Sequence, residues 1–315
     1  MISINRIYRL IVSCALYGAV WASVAGCAGN VKRKVIAGND DLKSGTIHIS
    51  ADESFKPIID SQIKVFMSQY PDATIIPHYK AEADCLRDLL NDSIRVVIVT
   101  RGLSEEEVKS LKDTLGFAPS WGKVASDAIS VIVNNKQKDS LFSMGDIRSL
   151  MSGNSGYKLN PVMDGNAATS TVRFMLDSVL KGQPLSPKVA AAKSSEGVID
   201  YVSNNENAIG FIGVSWIGNP EDKDQLAFLT KVRVASIESR DDREKYIKPY
   251  QANIATKRYP MVRGLYYIVK ENYSGLGKGF TNFLNNEKGQ LIFRRAYLVP
   301  TKMDFTIRQA EIKEE

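Results

Sequence analysis

Between Gly45 and Asn135 the apolar residues switch repeatedly between a period of two and a period near 3.6, and this alternation constrains the fold most. "GTIHIS" (45–50) reads as a short strand. "SFKPIIDSQIKVFMSQY" (54–70) then sets Phe55, Ile58, Ile59, Ile63 and Phe66 along one helical face. Ser54 is placed to cap that helix, and Pro57 is tolerated in its first turn. "ATIIPHY" is a strand, "EADCLRDLLND" a helix, and "RVVIVT" a near-continuous apolar strand of the type buried in parallel sheets. "SEEEVKSLKD" is a helix with Ser104 as cap and acids in its first turn, and "VASDAISVIVNN" is a long strand. Strand and helix in this order predict an α/β sheet with right-handed crossovers.

The second half keeps the style. "GDIRSLMSG" is a short helix closed by Gly153, "YKLNPVM" a strand, "SSEGVIDYVSN" a helix, "AIGFIGVSW" a strand and "AFLTKVRVASI" a further strand. "VRGLYYIVK" is the last long strand, followed by helices over "GKGFTNFLNN" and "EKGQLIFRRAY". No internal repeat of fixed period is present.

One stretch of this half bears on chemistry. In "AATSTVRFMLDSVL" (167–180) the hydroxyls of Thr169, Ser170 and Thr171 precede a helical face of Val172, Met175, Leu176 and Val179. A single hydroxyl suffices to cap a helix. The other two are donors that suit an oxyanion at a helix start, where free N–H groups and the macrodipole favour negative charge. Taken alone, the stretch reads more simply as a Thr-rich loop ending in an ordinary cap.

The first 26 residues stand apart. Arg6 and Arg9 precede an apolar run from Leu10 to Val24 and then small residues, the pattern of a secretory signal. The run is short for a transmembrane helix. It ends in "VAGC", which resembles the lipobox of bacterial lipoproteins, and the resemblance implies that Cys27 becomes the lipidated first residue of the mature chain. Residues 27–44 lack apolar periodicity and read as a tether, whose Lys32, Arg33 and Lys34 can lie against anionic head groups. Without residues 1–26, which hold Arg6 and Arg9 and no acid, 39 basic and 35 acidic side chains remain, a net charge of +4. So small and scattered an excess argues against nucleic acid. Cys14 leaves with the signal and Cys27 would be lipidated, so Cys85 alone remains and no intrachain disulfide framework forms. Its place in "ADCLRDLL" predicts a buried small residue.

Catalytic signatures are weak. His48 and His78 are the only histidines, without metal-ligand spacing, and His48 alternates with Thr46 and Ser50 on a polar strand face. "GVSWIG" misses the nucleophile elbow by one residue, "SQIK" has no accompanying K-T-G, and "GLGKG" follows no strand of a βαβ unit. The expectation is a binding protein rather than an enzyme, with no cofactor and no metal.

Six stretches, in order, resemble the phosphate-binding components of bacterial ABC transporters, within the superfamily of two-lobed periplasmic binding proteins. "GTIHISADESFKPIIDSQIKVF" is similar to the family's first strand, ligand loop and helix, and "VVIVTRGLSEEE" to its "aSR-x-L-x-x-E-E" turn. "VASDAISVIVNN" is similar to its crossing strand, and "AIGFIGVSW" to its "AIGY" strand. "YPMVRGLYYIV" and "FTNFLNNEKGQLIFRRAYLVP" resemble its return strand and C-terminal helix. The resemblance implies two α/β lobes of type II-like order joined by two crossing strands. Lobe 1 would combine 45–131 with 263–315, and lobe 2 would span 132–262. Phosphate or a related oxyanion would sit between the lobes, with closure about the hinge. It further implies ABC permease subunits as partners, a monomer, and a lipid anchor facing the periplasm in the cell envelope.

The family cradles phosphate with S-G-T at a second-lobe helix start. Thr169, Ser170 and Thr171 occupy that place here, and Ser54, Thr100 and Arg101 carry over from the first lobe, Arg101 as the one assigned positive charge. Two departures stand out. An arginine usually precedes S-G-T, whereas "MDGNAATST" has Asp164, and the central glycine is missing. Asp127 and Asp164 are candidate acceptors for the proton of a protonated phosphate, and each also reads as a solvated or capping residue. An anchored scaffold that keeps the fold without tight ligand binding is the rival expectation. A phosphoesterase is disfavoured by the missing base and metal ligands.

Overall fold

The computed structural model describes residues 39–302 except 166 and 220. The predicted signal, Cys27 and most of the tether lie outside the described residues. Among those described, no helix is long and apolar enough to cross a membrane.

Four strands open the chain: β1 (Gly45–Asp52), β2 (Ala73–Lys80), β3 (Ile94–Val99) and the long β4 (Ser120–Asn134). After them come β5 (Leu141–Phe142), β6 (Asn160–Met163), β7 (Ala190–Ala191), β8 (Ala208–Gly213) and β9 (Val232–Val234). The last four are β10 (Ser236–Glu238), β11 (Tyr246–Ile247), β12 (Val262–Val269) and β13 (Val299–Pro300). The main sheet runs β2-β1-β3-β12-β4-β8-β6-β7, with β9 and β13 also on β4, while β11-β10-β5 form a small second sheet. β1 is parallel to β2 and β3, as the crossover helices require. β12 returns antiparallel between β3 and β4.

β4 belongs to both halves of this two-lobed α/β fold. Ser120–Ala128 pairs with β12, and Ile129–Val133 pairs with β8. The core is correspondingly continuous: Ile49, Ile59, Phe66 and Phe280 of one half join Val131, Phe211, Met163 and Met175 of the other in one buried cluster. Cys85 packs with Leu89, Val97 and Val99 beneath β3, and burial pushes its thiol up to about 12.

Most predicted elements stand where the periodicity puts them. The helix Met144–Ser152 is capped by Ser143 and closed by Gly153 at φ 80°, a left-handed conformation that glycine adopts without strain. The helix Glu105–Leu115 carries a complete capping box from Ser104 and Glu107. Two elements differ. "AFLTKVRVASI" is not one strand, because the Asp222 side chain accepts from Asp224 N and Gln225 N and nucleates a helix over Lys223–Lys231. Only β9 and β10 remain extended. Nor does Ser54 cap the first helix. Ser54 lies in a short 3₁₀ turn, Glu53–Phe55, capped by Asp52, and the helix Lys56–Gln69 begins without a side-chain cap.

The pairing of β1 with β2 also joins the two histidines, with His48 Nδ1 2.8 Å from His78 Nε2. The register sets His78 opposite Ser50 and His48 opposite Ile76, so the rings are diagonal neighbours.

Candidate functional site

The C-terminal ends of β1, β3 and β6 meet the start of the helix Ser170–Phe174, in the crevice where α/β sheets bind ligands. β1 stops at Asp52, whose Oδ1 accepts from Ser54 N at 3.0 Å. That bond fixes the turn and leaves the Ser54 hydroxyl to point across the crevice. It donates to Asp164 Oδ2 at 3.0 Å and lies 3.4 Å from Ser170 Oγ.

Asp164 follows β6 directly. Gly165 comes next at φ 155°, where a Cβ would approach Thr169 Cγ2 to 2.7 Å, so the chain turns tightly here only without a side chain. Thr169 is the helix cap, accepting from Val172 N at 3.3 Å and donating to Asp164 Oδ1 at 3.0 Å. Thr171 donates to Asp164 Oδ2 at 3.1 Å. Three hydroxyls from two lobes thus converge on one buried carboxylate.

The positive charge comes from a residue that pattern reading left out. Arg263 on β12 stands opposite Asp127 on β4 in the strand register, and its Nε donates to Asp127 Oδ2 at 2.8 Å. Its Nη1 donates to Ser170 Oγ at 2.9 Å and reaches Thr171 Oγ1 at 3.5 Å, while its guanidinium lies 4.9 Å over the Phe55 ring. Arg263 Nη2, Asp127 Oδ1 and Asp52 Oδ2 are buried without a hydrogen-bond partner. Burial disfavours the charge on Arg263, but Asp127, Asp52 and Asp164 outweigh it and hold the guanidinium protonated. Burial also raises Asp127, against Arg263, and lifts Asp52 to about 6.

Thr100 joins from β3 through a different carboxylate. Thr100 N donates to Glu82 Oε1 at 2.8 Å, and its hydroxyl donates to the same atom. Arg173 completes this group, with Nε 2.6 Å from Glu82 Oε2 and Nη2 2.5 Å from Thr100 Oγ1. Burial works to raise Glu82, yet the bonds from Arg173 and Thr100 prevail and keep its carboxyl below the ordinary range. Across the crevice Glu53 accepts from Ser195 N at 3.1 Å and from Ser195 Oγ at 2.9 Å, and burial pushes it up to about 7.

Arg101 stands apart from these groups. Its fork grips Glu107 at 2.7 and 2.8 Å, and Glu107 is tied in turn to Ser104 at the start of the next helix. The charge at the hydroxyl cluster is therefore that of Arg263, with Arg173 beside Thr100, and not that of Arg101. Ser54, Thr169, Ser170, Thr171, Asp127 and Asp164 form one connected network. Thr100 stands outside it, in a separate group with Glu82 and Arg173, whose backbone N–H donates to the Thr169 carbonyl. One more group seals the crevice: Trp216, after β8, donates from Nε1 to the Ser54 carbonyl at 3.0 Å.

This arrangement holds hydroxyl and guanidinium donors beside carboxylate acceptors, a set able to grip a tetrahedral oxyanion that retains a proton. Asp127 was among the sequence candidates; Arg263 was not, and its signature is faint. Arg263 is the one charged residue within "VRGLYYIV", and Asp127 the one acid within the apolar run "VASDAISVIV". Such a pair reads as a buried cross-strand ion pair once the two strands are neighbours.

Comparison with known proteins identifies the family and the fold. The chain matches the family described as PBP superfamily domain over residues 39–288. Among curated proteins, the phosphate-binding protein PstS of Bacillus subtilis is 23% identical over 308 residues, covering 91% of this chain and 93% of the relative. Among solved structures, a putative phosphate ABC transporter substrate-binding protein with bound phosphate from Clostridium perfringens superposes with a TM-score of 0.67 at 20% identity. It covers 82% of this chain and 100% of its own. An ABC-type phosphate transport receptor from Vibrio cholerae gives 0.57 at 18% identity, covering 81% of this chain and 100% of its own.

Proposed function

The chain belongs to the PBP superfamily, and on that premise we propose that it is an extracytoplasmic solute-binding lipoprotein that captures phosphate or a similar oxyanion between its lobes. The observation that carries this reading is Arg263. It is buried on the side of the crevice that also carries Ser54, held by Asp127, and aimed at Ser170 and Thr171 of the other lobe. A fixed guanidinium amid hydroxyls recognises a tetrahedral anion by charge and by direction together. The phosphate-binding relatives support phosphate as the anion, and the excess of carboxylates in the crevice favours an ion that still bears a proton.

The reading includes lobes of 45–131 with 263–315 and of 132–262; the change of partner along β4, from β12 up to Ala128 to β8 from Ile129, supports a crossing within a few residues of that boundary. It includes Cys27 as a lipid anchor facing the periplasm, a monomeric chain, and delivery to permease subunits for ABC-type uptake or for sensing. The protein binds its ligand without transforming it. Palmitate labelling that Cys27→Ala abolishes checks the anchor.

Calorimetric titration of the protein with inorganic phosphate, and separately with sulfate, tests the core of the proposal. Saturable binding of phosphate with weaker or no binding of sulfate is the expected outcome. Absence of both heat and thermal stabilisation at millimolar phosphate overturns it. One observation favours a second reading, an anchored scaffold without tight ligand binding: the Ser54, Thr169 and Thr171 hydroxyls already donate to Asp164.

A further inference from the structure

We infer that Asp164 is an internal competitor of the ligand, a specificity-determining carboxylate that holds the very hydroxyls a bound anion needs. The inference rests on the phosphate reading and goes beyond it. Each hydroxyl has one proton to donate. Ser54 spends its proton on Asp164 Oδ2 at 3.0 Å, Thr171 on the same atom at 3.1 Å, and Thr169 on Oδ1 at 3.0 Å. These donors come from both lobes, and Asp164 is itself buried. One carboxylate therefore makes the contacts across the crevice that an oxyanion would make, with the same charge sign and the same acceptor chemistry.

Charge count strengthens the argument. Arg263 and Arg173 face Asp52, Glu53, Glu82, Asp127 and Asp164, a set in which acids outnumber cations. Asp127 and Glu82 are matched by their own arginines. Asp164 is different, since hydroxyls bond it and, among the described residues, no cation pairs with it at salt-bridge distance. An arriving anion meets both its repulsion and its hold on the donors. Binding then requires the three hydroxyls to turn from Asp164 to the ligand. Its position directly after β6, beside Gly165, sets the carboxylate at the tight turn between that strand and the helix that carries the hydroxyls.

The test compares the wild type with Asp164→Asn by phosphate calorimetry and by thermal unfolding without ligand. Asparagine keeps the shape and a carbonyl acceptor but removes the charge. The expected result is a phosphate affinity at least tenfold higher in the variant, together with a lower melting temperature of the ligand-free protein. A merely structural role for Asp164 predicts loss of stability with equal or weaker affinity, and that result overturns the inference. Circular dichroism confirms folding, and Asp164→Ser replaces the variant should asparagine not fold. Phosphate binding by wild type without gain in the variants removes this inference alone. No phosphate binding by any of the proteins removes the capture reading and this inference with it.

Discussion

Ser170 sits where the Arg263 guanidinium and the Ser54 hydroxyl meet, so its size and charge decide what can enter. Replacing it by alanine removes one neutral donor, a loss of about 1 kcal/mol, which weakens phosphate by roughly fivefold. Ser170→Asp places a second carboxylate beside Asp164 and in contact with Arg263, which it neutralises. Phosphate binding should then vanish from calorimetry while the circular dichroism spectrum is kept; equal affinity in Ser170→Asp and wild type would mean the hydroxyl belongs to a helix cap and nothing more. At this scale the sequence was half legible. The hydroxyl triplet announced itself because it exceeds what one cap requires. Arg263 did not, because its partner Asp127 is 136 residues away and becomes a neighbour only through strand register. Arg101 drew the charge assignment by following the strand "RVVIVT", but the capping box of the next helix claims its fork through Glu107.

Among the elements, the 3₁₀ turn after β1 and the helix Ser195–Asn204 are joined by a carboxylate that favours its neutral form. Burial raises Glu53 to about 7 from an ordinary value of 4.5. Between those values the folded protein keeps a proton that the unfolded chain has released, so this group's contribution to stability is full below about 4.5 and fades as the pH rises towards 7. Glu53→Gln preserves an acceptor for Ser195 and carries no charge. It should flatten that decline and raise the melting temperature at pH 8, and a lower melting temperature than wild type there would contradict the assignment. The elements themselves were largely readable, since period and caps are local properties. "AFLTKVRVASI" failed because its alternation of polar and apolar residues suits either state, and Asp222 as a side-chain cap decided for the helix. The Ser54 turn failed for the converse reason: two capping residues, Asp52 and Ser54, stand within three positions, and the earlier one took the backbone N–H.

For the whole molecule, the bond from Trp216 Nε1 to the Ser54 carbonyl makes the protein a reporter of its own opening. The chain has three tryptophans, Trp21 in the predicted signal, Trp121 and Trp216. Trp121 is 42% exposed and Trp216 only 5%. The indole that is shielded from water is thus the one bonded across the crevice, and it packs in the buried cluster of Ile132, Val198 and Ile212, so unfolding brings it into solvent. Emission from so buried an indole is expected at short wavelength, moving to the red when water reaches the ring. In a Trp121→Phe protein titrated with urea, phosphate should hold the emission blue to higher denaturant, because a ligand bound to the folded crevice is lost when it opens. Superimposable curves with and without phosphate would count against capture in this crevice. The colour of one side chain, with no attached dye, then reads how far a bound anion holds the crevice folded.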